Sequence, residues 1–586
     1  MVRQVENYSV PSREDVQPNA EPPHAWWADV PGEAPHLPHM ASWRQYDPAA
    51  QVTAYEFMLR EVLGVDNLQG LVGGYDDVDA NFRVVRGFLG MAQALHDASA
   101  RGDQDPVRMR TVAGTAGTPQ ERIETFLPPE VLALFRRYRE EGWASISGSP
   151  DYGGQGLPMG FANAILEMGM VNPGVAVLTF LSEGVASALE AKGSEELKRV
   201  WLPHLKSGKV TGAMVMTEPL AGSSLADMET TAQLRADGTV TVNGYKRFLS
   251  SADHNASEGP NGERNIVHMV LARTASENGY LLRKKPDGSF VEVLKVDEDG
   301  YLVGVDGRHL MNERGEMVKD GEWRQVLTLV LVPRVPLNEK GEYVDLEGKV
   351  VDAPVENGVL IAKLNHKTGL QVQSNTNAEY VNACGFVVGE VGEGMKNMFV
   401  IMNGARIGVG LQSVCAAELM RQNVEEYAQR REQGLGGAII HYPNVTEKIL
   451  NLRAHSQAGR IIAAEVAIAL DIVERGKNDF FTRGEKEEYQ RYVDVMTPLV
   501  KWGLSEKCYA AIDGGVQAMG GEGYMRESVA QILTDTRIAR IYEGANDVLA
   551  VGEAVFQLKH MRSFIRRMRT STAWTDTARC ATSSAP

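Results

Sequence analysis

The sequence predicts a multidomain α+β protein built in the order helices, β-barrel-like domain, helical bundle. Three observations predict it. Apolar residues recur at helical spacing from about residue 48 to 210. From 211 to 390 they fall into short alternating or continuous runs cut by Asp-Gly and Asn-Gly pairs. From Gly394 helical spacing returns and lasts to about Met568. With 586 residues, 43% of them hydrophobic and 23% charged, the chain can bury several separate cores.

Taken in order, residues 1–47 form a Pro-rich arm that holds Trp26 and Trp27 and has no periodicity of its own. The N-terminal helical domain spans 48–210. Ala49 to Leu63 carries apolar residues at helical spacing, and Ser194 predicts the N-cap of a helix over Glu195 to Lys206 that stops at Gly208. The middle β-domain spans 211–390. Thr239-Val240-Thr241-Val242 alternates between two turn signals, Asp237-Gly238 and Asn243-Gly244, while Ile266 to Ala272, Val326 to Val332 and Gly358 to Leu364 read as buried strands. Within this domain, 279–325 holds Asp287-Gly288, Asp299-Gly300, Asp306-Gly307 and Asp320-Gly321 between short alternating runs, the pattern of a β-hairpin insertion. The C-terminal helical bundle spans 391–568, with the Ala-rich Ile461 to Val473 as a buried helix. Residues 569–586 are small and polar and are expected to be disordered.

Composition narrows the function. A formal net charge of −16 argues against a nucleic-acid surface, and the basic run Lys559, Arg562, Arg566, Arg567 and Arg569 reads as a solvated helix end. No apolar run approaches the roughly 20 residues of a membrane-spanning helix, and no secretory leader is evident, so a cytoplasmic protein is expected. Cys384, Cys415, Cys508 and Cys580 show neither pairing nor metal spacing. They are expected as thiols in a reducing compartment, and no metal site is expected.

The chemistry concentrates in three stretches. Glu543 lies in Arg540-Ile541-Tyr542-Glu543-Gly544-Ala545-Asn546-Asp547. A Gly-rich segment from Gly514 to Tyr524 precedes it, and Met216-Thr217-Glu218-Pro219-Leu220-Ala221-Gly222-Ser223-Ser224 lies far upstream. Taken alone, a glutamate ahead of a helix is often only an acid that favours the helix dipole. In this order the three stretches resemble the acyl-CoA dehydrogenases, over roughly residues 50–555. The resemblance implies that fold, FAD as cofactor, an acyl-CoA thioester as substrate, and α,β-desaturation to the trans-2-enoyl-CoA as in fatty acid β-oxidation. It also implies an electron-transfer flavoprotein as the partner that takes the electrons. The alternative is an acyl-CoA oxidase or another oxygen-using flavoenzyme of the same fold, because oxygen access is not legible in a sequence.

Desaturation needs a base for the α-proton, and no side chain accepts a hydride, so a redox cofactor is required. The resemblance makes Glu543 the base, in a dry cavity that raises its pKa. Asn546 or Asp547 is then expected to cap a helix over Val548 to Leu558. The family's other base position falls on Ala405, which cannot take a proton. Met216, Thr217, Gly222 and Ser223 match the segment where the β-domain meets the flavin and, at Ser223, the pantetheine arm. Phe248 and Ser250 match the strand whose aromatic packs on the flavin, although Phe248 taken alone reads as a core residue. Arg431 resembles an arginine that reaches the FAD pyrophosphate across a subunit boundary, with Arg430 as its rival. Gln517, Gly520 and Gly521 match the stretch that takes the adenine and pyrophosphate end across the same boundary, which implies at least a homodimer. Arg406 resembles the arginine near the CoA moiety, and Gly544 is expected on the substrate side.

The chain also departs from the family pattern. Ala545 and Asp547 stand at cofactor contacts where relatives carry Thr and Gln or Gly, and Gln371 and Gln373 replace an arginine and a serine. The Gly-x-Gly run after Arg406 has no strand ahead of it and is not a nicotinamide-binding loop. The length, the Pro-rich start and Asp151-Tyr152-Gly153-Gly154-Gln155-Gly156-Leu157-Pro158 resemble a long bacterial subgroup, which includes 3-methylmercaptopropionyl-CoA and broad-chain acyl-CoA dehydrogenases.

Overall fold

Asp47 starts the first helix: its carboxylate accepts the Ala50 N–H and Pro48 stands in the first turn, so α1 runs Pro48–Phe57. It continues as a π-turn over Met58–Val62, inside the stretch predicted to be helical. The computed structural model describes residues 46–100, 107–112, 121–433, 437–525 and 528–552. The arm with Trp26 and Trp27, the basic run near Arg566 and the polar tail lie outside the described residues. Helices α2 (Val78–Gly87), α3 (Leu89–Ala100), α4 (Pro129–Glu140), α5 (Met159–Gly169), α6 (Pro173–Lys192) and α7 (Glu195–Lys206) follow. Ser194 caps α7 by accepting the Leu197 N–H, as its sequence predicts.

Between α3 and α4 the chain departs from the predicted helical pattern. Arg108–Val112 and Arg122–Phe126 pair antiparallel as a ribbon, β1 and β2. What orders the ribbon is distant in sequence. The Thr125 N–H donates to Asp253 Oδ2 at 2.6 Å, and Glu124 meets Arg334 at 2.9 Å and Arg264 at 3.3 Å. A strand held by ion pairs to another domain carries little local signal.

The β-domain comprises β3 (Thr211–Val215), β4 (Thr231–Leu234), β5 (Thr239–Ser250), β6 (Ile266–Ala275), β7 (Leu281–Lys284), β8 (Phe290–Val296), β9 (Leu302–Gly304), β10 (Arg324–Gln325), β11 (Leu327–Pro333), β12 (Val359–Leu364) and β13 (Asn375–Val387). The order β11-β13-β5-β4-β6 closes on itself because β11 also pairs with β6, which makes a barrel. Val240, Val242, Val270, Ala272, Val330, Val332 and Tyr380 are among the side chains that fill it. The predicted turn at Asn243-Gly244 is instead the middle of β5. Gly244 pairs with Tyr380, and a Cβ there would come within 2.4 Å of Thr230 Oγ1, so the glycine serves a close strand approach.

Residues 279–325 form the expected hairpins. β7 pairs with β8 and β8 with β9, and the glycines of all four Asp-Gly pairs have positive φ. Val293, Leu302, Val318 and Trp323 give the insertion a small core of its own. Trp323→Ala should therefore loosen it by about 3 kcal/mol. Limited proteolysis should then cut within 279–325 while the cofactor spectrum stays that of the wild type.

Beyond the barrel, α8 (Gly394–Arg430), α9 (Pro443–Arg475) and α10 (Arg483–Met519) form the bundle, with α11 (Gly521–Tyr524) and α12 (Ala530–Thr536) at its end. Ala463, Ala464, Val466, Ala467 and Ile468 of α9 are buried, as the Ala-rich pattern predicts. One exclusion drawn from the sequence is corrected: α6 and α8 are both long and apolar enough to cross a membrane. Most of the apolar stretch of each is buried inside the protein, so packing against neighbouring helices accounts for its composition.

Candidate active site

Glu543 lies in the turn that follows α12, between α8 and α10. Its backbone is left-handed, φ 56°, a conformation that costs about 1–3 kcal/mol and persists only where surrounding contacts impose it. Those contacts are visible. From α8, the Arg406 Nε donates to the Glu543 carbonyl at 3.3 Å. From α10, the Lys501 Nζ donates to the Gly544 carbonyl at 2.6 Å and to Asn546 Oδ1 at 2.7 Å. Asn546 Nδ2 in turn donates to Ser505 Oγ at 2.9 Å and to Glu506 Oε1 at 2.7 Å. Glu506 also binds Arg540, so both ends of the turn are fastened to one face of α10. The Tyr542 hydroxyl is held by Gln412 of α8.

The expected capping role is corrected. The helix begins at Asn546, one of the two predicted caps and two residues ahead of the predicted start at Val548, and the Ala545 carbonyl accepts the N–H groups of Val548 and Leu549. Asn546 cannot cap because its side chain is committed to Lys501, Ser505 and Glu506. The predicted helix end at Leu558 lies outside the described residues.

The Glu543 carboxylate keeps one buried oxygen, Oε2, without a hydrogen-bond partner among the described residues. Burial pushes its pKa up to about 7, against the pull of the Arg406 and Lys501 cations. No acceptor among the described residues takes the Glu543 N–H. The turn thus offers an uncommitted carboxylate oxygen and an uncommitted backbone donor from the same residue. Ala405, expected from the resemblance at the alternative base position, is a buried alanine on α8. Gln412 also lines a cavity of about 1150 Å³, open mouth included, with Val171, Pro173, Val372, Cys415 and Leu419, but Glu543 does not face it.

A second group of predicted residues lies on the barrel. Met216 and Thr217 follow β3, and Gly222 and Ser223 are exposed in the same loop. The loop is pinned by Glu218, whose buried carboxylate meets Lys246 at 2.8 Å and accepts the Thr230 N–H at 3.1 Å. The Thr217 carbonyl accepts the Arg247 N–H at 2.8 Å, which places Phe248 beside it. Phe248 is left-handed, φ 61°, and 57% exposed, so it is not a core residue. The Arg247 guanidinium lies 4.8 Å from its ring centroid. Ser250 closes β5 and accepts from Asn375 Nδ2.

The third group lies at the bundle's outer end. Arg431 caps α8 and is exposed, and no ion pair engages it among the described residues, whereas Arg430 is paired with Glu426. Gln517, Gly520 and Gly521 are exposed at the end of α10, beside Tyr524, which is 80% exposed. Asp547 is exposed and Ala545 half-buried. The structure brings Glu543, Gly544 and Arg406 together. Among the described residues, no hydrogen bond joins this turn to the barrel group or to the outer group.

These surfaces suit a flavin dinucleotide: an exposed aromatic face beside backbone groups on the barrel, and an unpaired guanidinium on the bundle. Sequence reasoning missed Lys501, Ser505 and Glu506. Their spacing on α10 is the only trace, and many surface helices share it.

Comparison with known proteins shows the family and the fold. The family model described as acyl-CoA dehydrogenase, N-terminal domain, matches residues 117–209, and that described as acyl-CoA dehydrogenase, C-terminal domain, matches 392–551. The 3-methylmercaptopropionyl-CoA dehydrogenase of Ruegeria pomeroyi is 31% identical over 456 residues, covering 75% of this chain and 67% of that one. The broad-specificity linear acyl-CoA dehydrogenase FadE5 of Mycobacterium tuberculosis is 26% identical over 520 residues, covering 84% and 72%. Among solved structures, the acyl-CoA dehydrogenase of Bacillus anthracis complexed with FAD has a TM-score of 0.55 at 19% identity, over 89% of this chain and 71% of that one, a likeness of fold.

Proposed function

The chain belongs to the acyl-CoA dehydrogenase family, an FAD-using family of oxidoreductases, and from that premise we propose that it desaturates an acyl-CoA thioester to the trans-2-enoyl-CoA with Glu543 as the base. The observation that carries this is the buried, unpartnered Glu543 carboxylate oxygen in a left-handed turn held from two helices. Glu543 takes the α-proton. The Glu543 N–H is free to donate to the thioester carbonyl, where negative charge grows as the proton leaves. FAD, when bound, supplies the acceptor for the hydride from the β-carbon. Arg406 and Gly544 border the thioester side of the turn.

Met216, Thr217, Gly222, Ser223, Phe248 and Ser250 would hold the ring end of the cofactor. Arg431, Gln517, Gly520 and Gly521 would hold the pyrophosphate and adenine of a second copy's cofactor, with Ala545 and Asp547 near the join. A homodimer is the minimum this requires, and the exposed Tyr524, Ile541, Val548 and Val551 beside these residues suit a surface that a second copy covers. An electron-transfer flavoprotein is the electron acceptor proposed. Cys384, Cys415 and Cys508 are buried free thiols, which suits the cytoplasm.

Anaerobic titration of the FAD-loaded protein with acyl-CoAs of several lengths tests the function. At least one should bleach the flavin absorbance, and failure of every acyl-CoA would overturn the assignment. Reoxidation by the flavoprotein separates a dehydrogenase from an oxidase, which would release hydrogen peroxide in air. Because the base must be ionised, kcat/KM should rise with pH to a plateau, with unit slope and a midpoint near 7. A flat profile between pH 6 and 8 would contradict the titration assigned to Glu543. Arg431→Ala should weaken FAD binding by about 10- to 100-fold, as expected for losing a charge-assisted contact. Arg430→Ala should leave it near wild type, and equal losses in a fluorescence titration would remove the distinction.

A further inference from the structure

We propose that Lys501 is a positioning residue for the proton abstraction: its ammonium fastens the turn that carries Glu543 and supplies the buried cation that favours the ionised carboxylate. The proposal rests on Glu543 being the base.

Lys501 has no exposed surface. A buried ammonium is costly unless a counter-charge compensates it. The other fully buried lysines have carboxylates in contact: Lys206 binds Glu183 at 2.8 Å and Glu190 at 3.1 Å, and Lys246 binds Glu218 at 2.8 Å. Lys501 differs. Its two hydrogen bonds go to neutral oxygens, the Gly544 carbonyl and Asn546 Oδ1, and no carboxylate lies within ion-pair distance of it among the described residues. The charges that face it are Glu543 and Glu506, which favour its charged form, and Arg406, which opposes it. Glu506 is already paired with Arg540. The charge of Lys501 therefore acts chiefly on Glu543.

The groups facing Glu543 agree with this. Arg406 approaches from α8 and Lys501 from α10, and both draw its pKa down against burial. Tyr542, on the same turn, stays protonated because burial raises its pKa. Without Lys501, burial would be opposed by Arg406 alone and the carboxyl would hold its proton to higher pH. The two hydrogen bonds add a steric consequence. They fix the carbonyl of Gly544 and the side chain of Asn546, the residues that must stay in place for Glu543 to remain left-handed.

The test compares FAD-loaded wild type, Lys501→Gln, Lys501→Met and Lys501→Arg. Glutamine can still donate to both oxygens but lacks the charge. Methionine lacks both functions, and arginine keeps the charge. In Lys501→Gln the midpoint of the kcat/KM profile should move up by about one pH unit, so that activity falls about fivefold at pH 7 and recovers at alkaline pH. Lys501→Met should show the same shift with a lower plateau in kcat, and Lys501→Arg should keep the wild-type midpoint. An unshifted midpoint in Lys501→Gln overturns the proposal. So does loss of FAD from all three variants, or from both neutral ones alone, since the lysine would then serve folding only. Glu543→Gln is the control. If that variant still bleaches with acyl-CoA, the base assignment fails and this proposal falls with it; if it is inert while Lys501→Gln titrates like wild type, only the role of the lysine falls.

Discussion

Glu543→Gln should keep its FAD and lose flavin reduction by acyl-CoA by about 10⁴-fold, the upper range for removal of a general base. The amide has the size of the carboxylate and the same backbone demands, so the φ of 56° and the contacts from Arg406 and Lys501 to neighbouring carbonyls can persist. What it cannot do is accept a proton. Glu543→Asp makes a graded comparison. It keeps the charge but withdraws the oxygens by one methylene, and a loss of about 10²-fold is expected from misplacement. Anaerobic stopped-flow absorbance separates binding from bleaching. Fast, complete bleaching of Glu543→Gln would assign the proton to another group.

Arg460→Met should destabilise the fold by about 3–5 kcal/mol, the range for removing one partner of a buried ion pair. Arg460 joins α9 to α5 and α8. It donates to Glu167 at 2.7 to 3.0 Å and lies 3.4 Å from Glu418. The Tyr55 hydroxyl donates to the same Glu167 at 2.6 Å, so α1 joins the cluster. All these side chains are buried. Burial alone would lower the guanidinium's pKa, yet the two carboxylates raise it. Glu418 is held at about 2 because the hydrogen bond from Arg421 and the charges of Arg460 and Arg421 outweigh burial. Removing the guanidinium leaves the buried Glu167 carboxyl with Tyr55 as its one remaining hydrogen-bond partner among the described residues. Adding Glu167→Leu to Arg460→Met should recover part of the loss, because the buried polar group left without its partner goes with it. Denaturant unfolding of the FAD-loaded protein checks both, and an Arg460→Met variant within 1 kcal/mol of wild type would show that the cluster does not bear on stability.

The elements legible in the sequence are those whose cause is local. Ser194 caps α7 with an N–H three residues away, and the Asp-Gly pairs of the insertion turn within the residues that name them. The elements that escaped have distant causes. Ribbon β1–β2 is held by Asp253, Arg264 and Arg334, more than a hundred residues beyond it. Asn243-Gly244 carries a turn signal, but the close crossing of Thr230 and pairing to β13 make it strand. Asn546 would cap a helix in isolation, and Lys501 draws its side chain elsewhere.

The order of helices, barrel and bundle was determined by the sequence alone, because periodicity and turn chemistry act over a few residues. Glu543 as the candidate base came from the family resemblance that its motif carries. Only the tertiary structure decided the state of that carboxylate. Its left-handed backbone is held by Arg406 and Lys501, which arrive from other helices, and burial raises its pKa against the pull of those two cations. Electrostatics in a buried site is set by distance in space, and distance in space is what a linear sequence does not record.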